Sequence, residues 1–374
     1  MSNNDETDYF KIPLKFYNWS GVRITSKKIP KIISVYILYP MMIVLYGLMI
    51  INIRFNIDSL AKFIEVGISV STMTIIALRK TLLIKNGSVY EDLLETQKLY
   101  WAYNRFGQAF ESTQRKRMYF CLLVTKFIIG YSCVSLSYHS IIAPIIMHEM
   151  ILPQPCWNPG NTTIGRNIIF FVENIFYIEG TSNFVIFDCL YFLLATNLRI
   201  QFALLRKELN SIDFKEDSEE KCFARLVKCS QYHKLLLSVH RKINTIYSAF
   251  FLLTYVFTIT STCTLMFVVF YMEADAALLG KSIFIVIILN TLLVMTFIPA
   301  GELEIEGEKL AMDIYFMNWY ETSSLKIRKF ILFWLMRAQI PLQMTGGGML
   351  VVNRPLVLQA ERVSYSLASF LANL

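Results

Sequence analysis

Few residues in this chain are equipped for chemistry, and those few lie in unusual surroundings. Asp188 stands midway along an apolar run, Val172–Ile200. An unpaired carboxylate there would be very unfavourable, so it must find a partner or keep its proton. Two readings stay open for it: a station on an ion path, or a structural hydrogen bond to a neighbouring helix. The last stretch, Pro355–Leu374, is about one bilayer long as a helix. Asn353 can cap it and Pro355 suits its first turn. At 3.6 residues per turn, Gln359, Arg362, Ser366, Ser369 and Asn373 share one stripe with Phe370, while Leu356, Val363, Leu367 and Leu374 border or oppose it. A membrane helix with one wet face, interrupted by a bulky apolar side chain, can line a water path with a constriction. The same helix also carries Ser364, Ala368 and Ala372, small residues suited to close packing, in which case the polar stripe faces neighbouring helices.

Nothing assembles a catalytic nucleophile with its base. His139, His148, His233 and His240 form no H-E-x-x-H, and G-x-S-x-G and P-loop patterns are absent. His233 and His240 are seven residues apart on one face of a charged helix, the pattern of a solvated surface. The cysteines (121, 133, 156, 189, 222, 229 and 263) show no C-x-x-C and lie mostly in apolar runs, which suits neither a disulfide framework nor a zinc site. Cys156 alone falls in a loop, with a helix-end thiol such as Cys263 as its conceivable partner. No enzyme activity, metal or cofactor is expected.

The elements that must position these residues are membrane helices. The 374 residues are 55% hydrophobic and only 17% charged, against about 25% charged in soluble domains. Seven apolar segments follow: Ile32–Ile53, Leu60–Leu83, Met118–Met147, Val172–Ile200, Ile246–Tyr271, Leu279–Pro299 and Pro355–Leu374. The first is too long for a signal peptide and follows polar or basic residues, so it is expected to stay as a span. Without an internal repeat, an inverted-repeat transporter is disfavoured. The predicted fold class is an all-α membrane protein with seven transmembrane helices. Its parts are 1–31, an amino-terminal segment; 32–300, six helices with a ligand pocket; 301–348, cytoplasmic anchor helices; and 349–374, the terminal helix.

Twenty-nine of the 36 Lys and Arg residues fall in alternate connections, counting residues from Arg79 to Arg117 as the second loop. The positive-inside rule then puts the amino terminus in the cytoplasm and the carboxyl terminus outside, opposite to a G-protein-coupled receptor. The distribution of the net charge of +8 thus argues for topology and not for binding of nucleic acid or lipid headgroups; membrane lipid is expected as a partner and nucleic acid is not. The third loop, His148–Phe171, is rich in proline and reads as an ordered external lid, where Asn161 opens a glycosylation sequon. In the sixth loop, Glu302, Glu304, Glu306 and Glu308 precede an amphipathic stretch, Leu325–Met336, and a hinge-like Gly346–Gly348. This is either a cytoplasmic collar feeding the last span or a helix on the membrane surface.

The spaced residues Trp319-Tyr320, Arg337-Ala338-Gln339, Pro341-Leu342, Gly346-Gly347 and Ser364-Tyr365-Ser366 resemble the carboxyl-terminal signature of insect odorant receptors. Asp188 with Leu190, Gln201-Phe202 and Leu205, and His233 with Leu236-Leu237, Ile243 and Tyr247-Ser248, look like the same family. The chain departs from the pattern with Asn353-Arg354 before the last helix and Leu367 after Ser-Tyr-Ser, and it lacks a basic residue near its end. The resemblance implies four subunits around a central pore and an odour-gated, non-selective cation channel in the plasma membrane of an olfactory neuron's dendrite. It further implies a shared co-receptor subunit as partner and a small volatile ligand. Laid on the family pattern, Phe370 and Leu374 form the gate, with Ser366 and Asn373 on the wet wall. The odorant pocket falls to Val66, Ser69, Val70, Met73, Tyr131, Ser135, Tyr138, Phe184, Ile285 and Ile288. The alternatives are a gustatory receptor-like channel and a multi-pass solute transporter.

Overall fold

Lipid offers no hydrogen bonds to a bare backbone, so apolar runs of this length are stable there as helices. The computed structural model describes residues 8–24, 28–55, 60–142, 145, 156–271 and 276–373. Its helices are α1 (Lys11–Trp19), α2 (Lys28–Phe55), α3 (Leu60–Lys85), α4 (Gly87–Thr96), α5 (Gln108–Ile142), α6 (Thr163–Leu209), α7 (Glu219–Tyr271), α8 (Ala276–Phe316), α9 (Leu325–Ala338) and α10 (Arg354–Ala372). Between α9 and α10 lies one antiparallel hairpin, β1 (Met344–Gly346) with β2 (Leu350–Val352), in register Met344↔Val352. By length and composition α2, α3, α5, α6, α7 and α8 can each cross a membrane. α10 has 19 residues but falls short on hydropathy, because Glu361, Arg362 and the serines interrupt it.

α6 is the central post. In its most apolar stretch 78% of residues are buried, against 11% for α5, whose Phe120, Leu123, Phe127 and Val134 point outward as lipid-facing side chains do. Around α6 a continuous core joins Phe187, Tyr191, Leu198 and Phe202 to Leu236, Ile243, Tyr247 and Phe251 of α7 and to Phe297, Leu303 and Leu310 of α8. A second, smaller cluster joins Met42, Leu45 and Met49 of α2 to Met73 of α3, Cys156, and Ile169 and Phe176 of α6. Three stretches wind as π-helix: Ile32–Leu38 within α2, Tyr138–Ile142 at the end of α5 and Val185–Cys189 within α6.

Several expectations change at the end of the molecule opposite this small cluster. The glutamate run is not a loop, since α8 continues through Pro299 to Phe316. Helical spacing aims Glu302, Glu306 and Asp313 at α6, where Arg199 pairs with Glu302 at 2.6 Å, and Arg206 with Glu306 at 2.9 Å and with Asp313 at 2.6 Å. His233 and His240 are buried, not solvated, and Trp334 of α9 lies over His233. The indole Nε1–H of Trp334 donates to His233 Nδ1 at 3.0 Å, and no group of metal ligands occurs among the described residues.

Nor are the three glycines a hinge. Gly347 and Gly348 turn the hairpin with φ of 61° and 74°, values open mainly to glycine. A Cβ on Gly347 would lie 2.6 Å from Leu252 Cδ2. The hairpin is stitched to α7, with Gly347 N donating to Ser248 O at 3.0 Å and Thr345 N to Asn244 Oδ1 at 2.8 Å. Replacing Gly347 by Val is therefore expected to cost about 1–3 kcal/mol, read as a lower melting temperature of the detergent-solubilised protein.

Candidate ligand pocket and pore helix

Asn353 caps α10 by accepting from Leu356 N at 3.2 Å, and Arg354 pairs with Glu302 of α8. One face of the helix is buried: Leu356, Ala360, Ser364 and Ala368, spaced by four. This row of small side chains lets α10 approach α7 closely, and Ser364 Oγ–H lies within reach of Ile259 O at 3.4 Å and of Ala360 O at 2.8 Å. The packing role thus belongs to the small-residue row. The polar stripe does not face neighbours within the subunit: Gln359, Arg362, Ser366, Phe370 and Asn373 are exposed and Ser369 is half-buried. Phe370 is 62% exposed, far outside the usual place of a phenyl ring in an isolated soluble fold. Leu374 lies outside the described residues.

The residues expected to hold a ligand separate into groups. Met73 belongs to the small cluster with α2 and α6, and Val70 packs against it. Val66 and Ser69 are buried. Ser135 lies beside Tyr177 of α6, as does Tyr131. Tyr131 and Tyr138 are partly exposed, at 39% and 51%, and Phe184, Ile285 and Ile288 are half-buried. Cavities of about 360 and 340 Å³ lie elsewhere, the first beside α1 and α4, the second between α8 and α9. Of the loop expected to form an external lid, 148–155 lies outside the described residues. Beyond it, Trp157 stacks on Phe55 at 5.9 Å and Cys156 is buried with a free thiol, as is that of Cys263.

Between these groups and the hairpin sits an ionic junction. Arg79 of α3, counted from sequence among the charges of a cytoplasmic loop, is buried within the helices and meets Asp188 at 2.6 Å (Nε–Oδ2) and 3.2 Å (Nη2–Oδ1). Its guanidinium lies 5.0 Å from the ring centre of Phe184 and 5.2 Å from that of Phe250, a cation–π sandwich. The next residue, Lys80, is fully buried, donates to Ser34 O at 2.8 Å and pairs with Glu179. Asp188 therefore has the structural partner that its burial demanded. The pairing was missed because Arg79-Lys80 closes an apolar run and is followed by polar residues, as a loop boundary is. Two basic residues in succession inside a helix, opposite Glu179 and Asp188 nine residues apart, were the available signal.

Comparison with known proteins now decides the family. The sequence profile described as 7tm Odorant receptor matches residues 52–365. The chain belongs to that family. Odorant receptor 88a of Drosophila melanogaster is 25% identical over 233 residues, which is 61% of this chain and 57% of that protein; the chain spans little more than half of this curated relative. The structure of the insect olfactory receptor OR5 from Machilis hrabei superposes with a TM-score of 0.80 at 14% identity, covering 97% of this chain and 99% of that one. The structure of the same receptor in complex with eugenol matches equally well, at 0.80 and 14% over 98% and 97%. This odorant receptor family member is thus a helical, multi-pass membrane protein with the seven-helix fold.

In Asp188→Ala the Arg79 guanidinium stays buried without its counter-charge, so the variant should lose about 3–5 kcal/mol of stability. Arg79→Met/Asp188→Leu, which leaves no buried lone charge, should recover most of that loss. Thermal melts of the three proteins in detergent check both statements.

Proposed function

We propose that this chain is the odour-binding subunit of a ligand-gated, non-selective cation channel in the plasma membrane, assembled with a shared co-receptor subunit into a tetramer. The amino terminus is cytoplasmic, α10 runs outward, and Asn161 carries the external glycan. The observation that carries the reading is the two-sidedness of α10. Its small residues bind it to α7, while Ser366, Phe370 and Asn373 are left for a surface that the isolated subunit does not cover. Four such helices around an axis would enclose a hydrated path narrowed by Phe370 and Leu374.

The end of the molecule opposite the proposed pocket supports assembly. Met312, Tyr315 and Phe316 of α8 and Leu332, Phe333 and Met336 of α9 are all more than half exposed, more apolar surface than a monomer normally leaves to water. For the ligand, we place the pocket among Val66, Ser69, Val70, Met73, Tyr131, Ser135, Tyr138, Phe184, Ile285 and Ile288. Hydroxyls of Ser69, Ser135 and Tyr138 would orient a small volatile molecule against apolar walls. The eugenol complex of the Machilis hrabei receptor supports a small organic ligand of this kind. Opening is a population shift, since the ligand must bind the open state more tightly than the closed one.

Patch-clamp recording with the co-receptor, across a panel of volatile alcohols, esters and phenols, tests the proposal. Thiol reagents applied from outside during stimulation should block current in Ser366→Cys, Phe370→Cys and Asn373→Cys and spare Ser364→Cys. Unblocked current in all the first three discards the pore assignment. Single alanine substitutions of Ser69, Ser135 and Tyr138 should change the order of responses across the panel, and unchanged tuning in all three rejects the pocket.

A further inference from the structure

The junction at Arg79 connects the two sites just proposed. Phe184, a member of the proposed pocket, lies against the Arg79 guanidinium. Arg79 grips Asp188, which sits inside the π-helical stretch Val185–Cys189. In the same stretch Phe187 O accepts the hydroxyl of Tyr247 at 2.9 Å, and Tyr247 in turn accepts from Tyr90 at 2.6 Å. Tyr247 precedes Ser248, whose carbonyl holds Gly347 of the hairpin. One turn earlier, Asn244 holds Thr345. The hairpin's second strand, β2, runs directly into the Asn353 cap of α10. Every step from Phe184 to the pore helix is a direct contact or one covalent neighbour.

A chain of contacts transmits nothing unless one member has two states. We infer that the π stretch Val185–Cys189 is that member. It holds one residue more per turn than an α-helix. Its conversion to α would turn the outer part of α6, Phe184 included, by about one residue's arc, roughly 100°, relative to Tyr191 and the core below. Asp188 lies within the stretch and its partner belongs to another helix, so the ion pair holds the π register in place.

We propose that Arg79 and Asp188 are the positioning pair that carries ligand occupancy to the pore helix, by fixing the register of Val185–Cys189 against α3 and α7. This rests on the ligand-gated reading above. The pair touches neither the permeating ions nor the gate; it acts through Tyr247 and the hairpin.

The test uses the full chain co-expressed with the co-receptor, with eugenol and a panel of volatile alcohols and esters as probes, and currents normalised to surface-labelled receptor. The informative variant is Arg79→Met/Asp188→Leu, in which no lone charge is buried. It should reach the surface in parental amount, yet its maximal current should fall about fivefold or more, and by a larger factor than the half-maximal concentration moves. Asp188→Asn, which keeps the side chain's shape, and Tyr247→Phe, which loses the bond to Phe187, should change the current in the same direction. A merely structural pair predicts that the double variant, once folded, conducts like the parent, and that result overturns the proposal. A parent that answers no probe in the panel overturns the ligand-gated reading itself, and this inference with it. A parental channel with an equally active double variant removes only the inference.

Discussion

A charge withdrawn from water inside a membrane protein must be met by an opposite charge, and in this receptor that requirement decides where the helices join. Arg79 and Lys80, adjacent on α3, can satisfy it only together. Arg79 reaches Asp188 while Lys80 reaches Glu179 and the carbonyl of Ser34. Three helices are thereby tied at one level. Removing a partner is far more costly than the net contribution of the pair, so the junction specifies register more than it adds stability.

Two of the three π-helical stretches lie at this level, and each lends a carbonyl to a side chain of another helix: Ser34 to Lys80, and Phe187 to Tyr247. A wider helical turn loosens the backbone ladder and makes such acceptors available. The aromatic groups that surround the junction, Tyr17, Tyr90, Phe187, Tyr191, Tyr247 and Phe250, pack ring to ring and exclude water from it. Below, the ladder of Arg199 and Arg206 with Glu302, Glu306 and Asp313 repeats the device in a wetter setting, where exposure of the arginines weakens each pair.

Six membrane helices were legible in the sequence because hydropathy dictates them, whereas the extension of α8 through the glutamate run was not. The two-sided character of the last helix was legible for the same reason, since its period of 3.6 separates Ser364 and Ala368 from Ser366 and Phe370. What stayed hidden depends on contacts distant in sequence. Arg79 reads as a loop charge until Asp188, 109 residues away, is placed beside it. His233 reads as a surface residue until Trp334 covers it. The glycines 346–348 read as flexible, because composition records their freedom and not the stitches from Asn244 and Ser248 that remove it. The proposed pocket shows the limit of the method: a helix face can be read from spacing, but Met73 and Tyr138, on different helices, have opposite exposures that no periodicity encodes.

The hairpin's attachment to α7 has a mechanical consequence. It fixes the first turn of α10, with the Arg354–Glu302 pair beside it, so that any tilt of the helix along α7 pivots at that end. Nineteen residues give it a length of about 28 Å, and a tilt of about 5° at the fixed end would swing its tip sideways by roughly 2.5 Å. A displacement close to the diameter of a water molecule can therefore arise at Phe370 and Asn373 while the fixed end scarcely shifts.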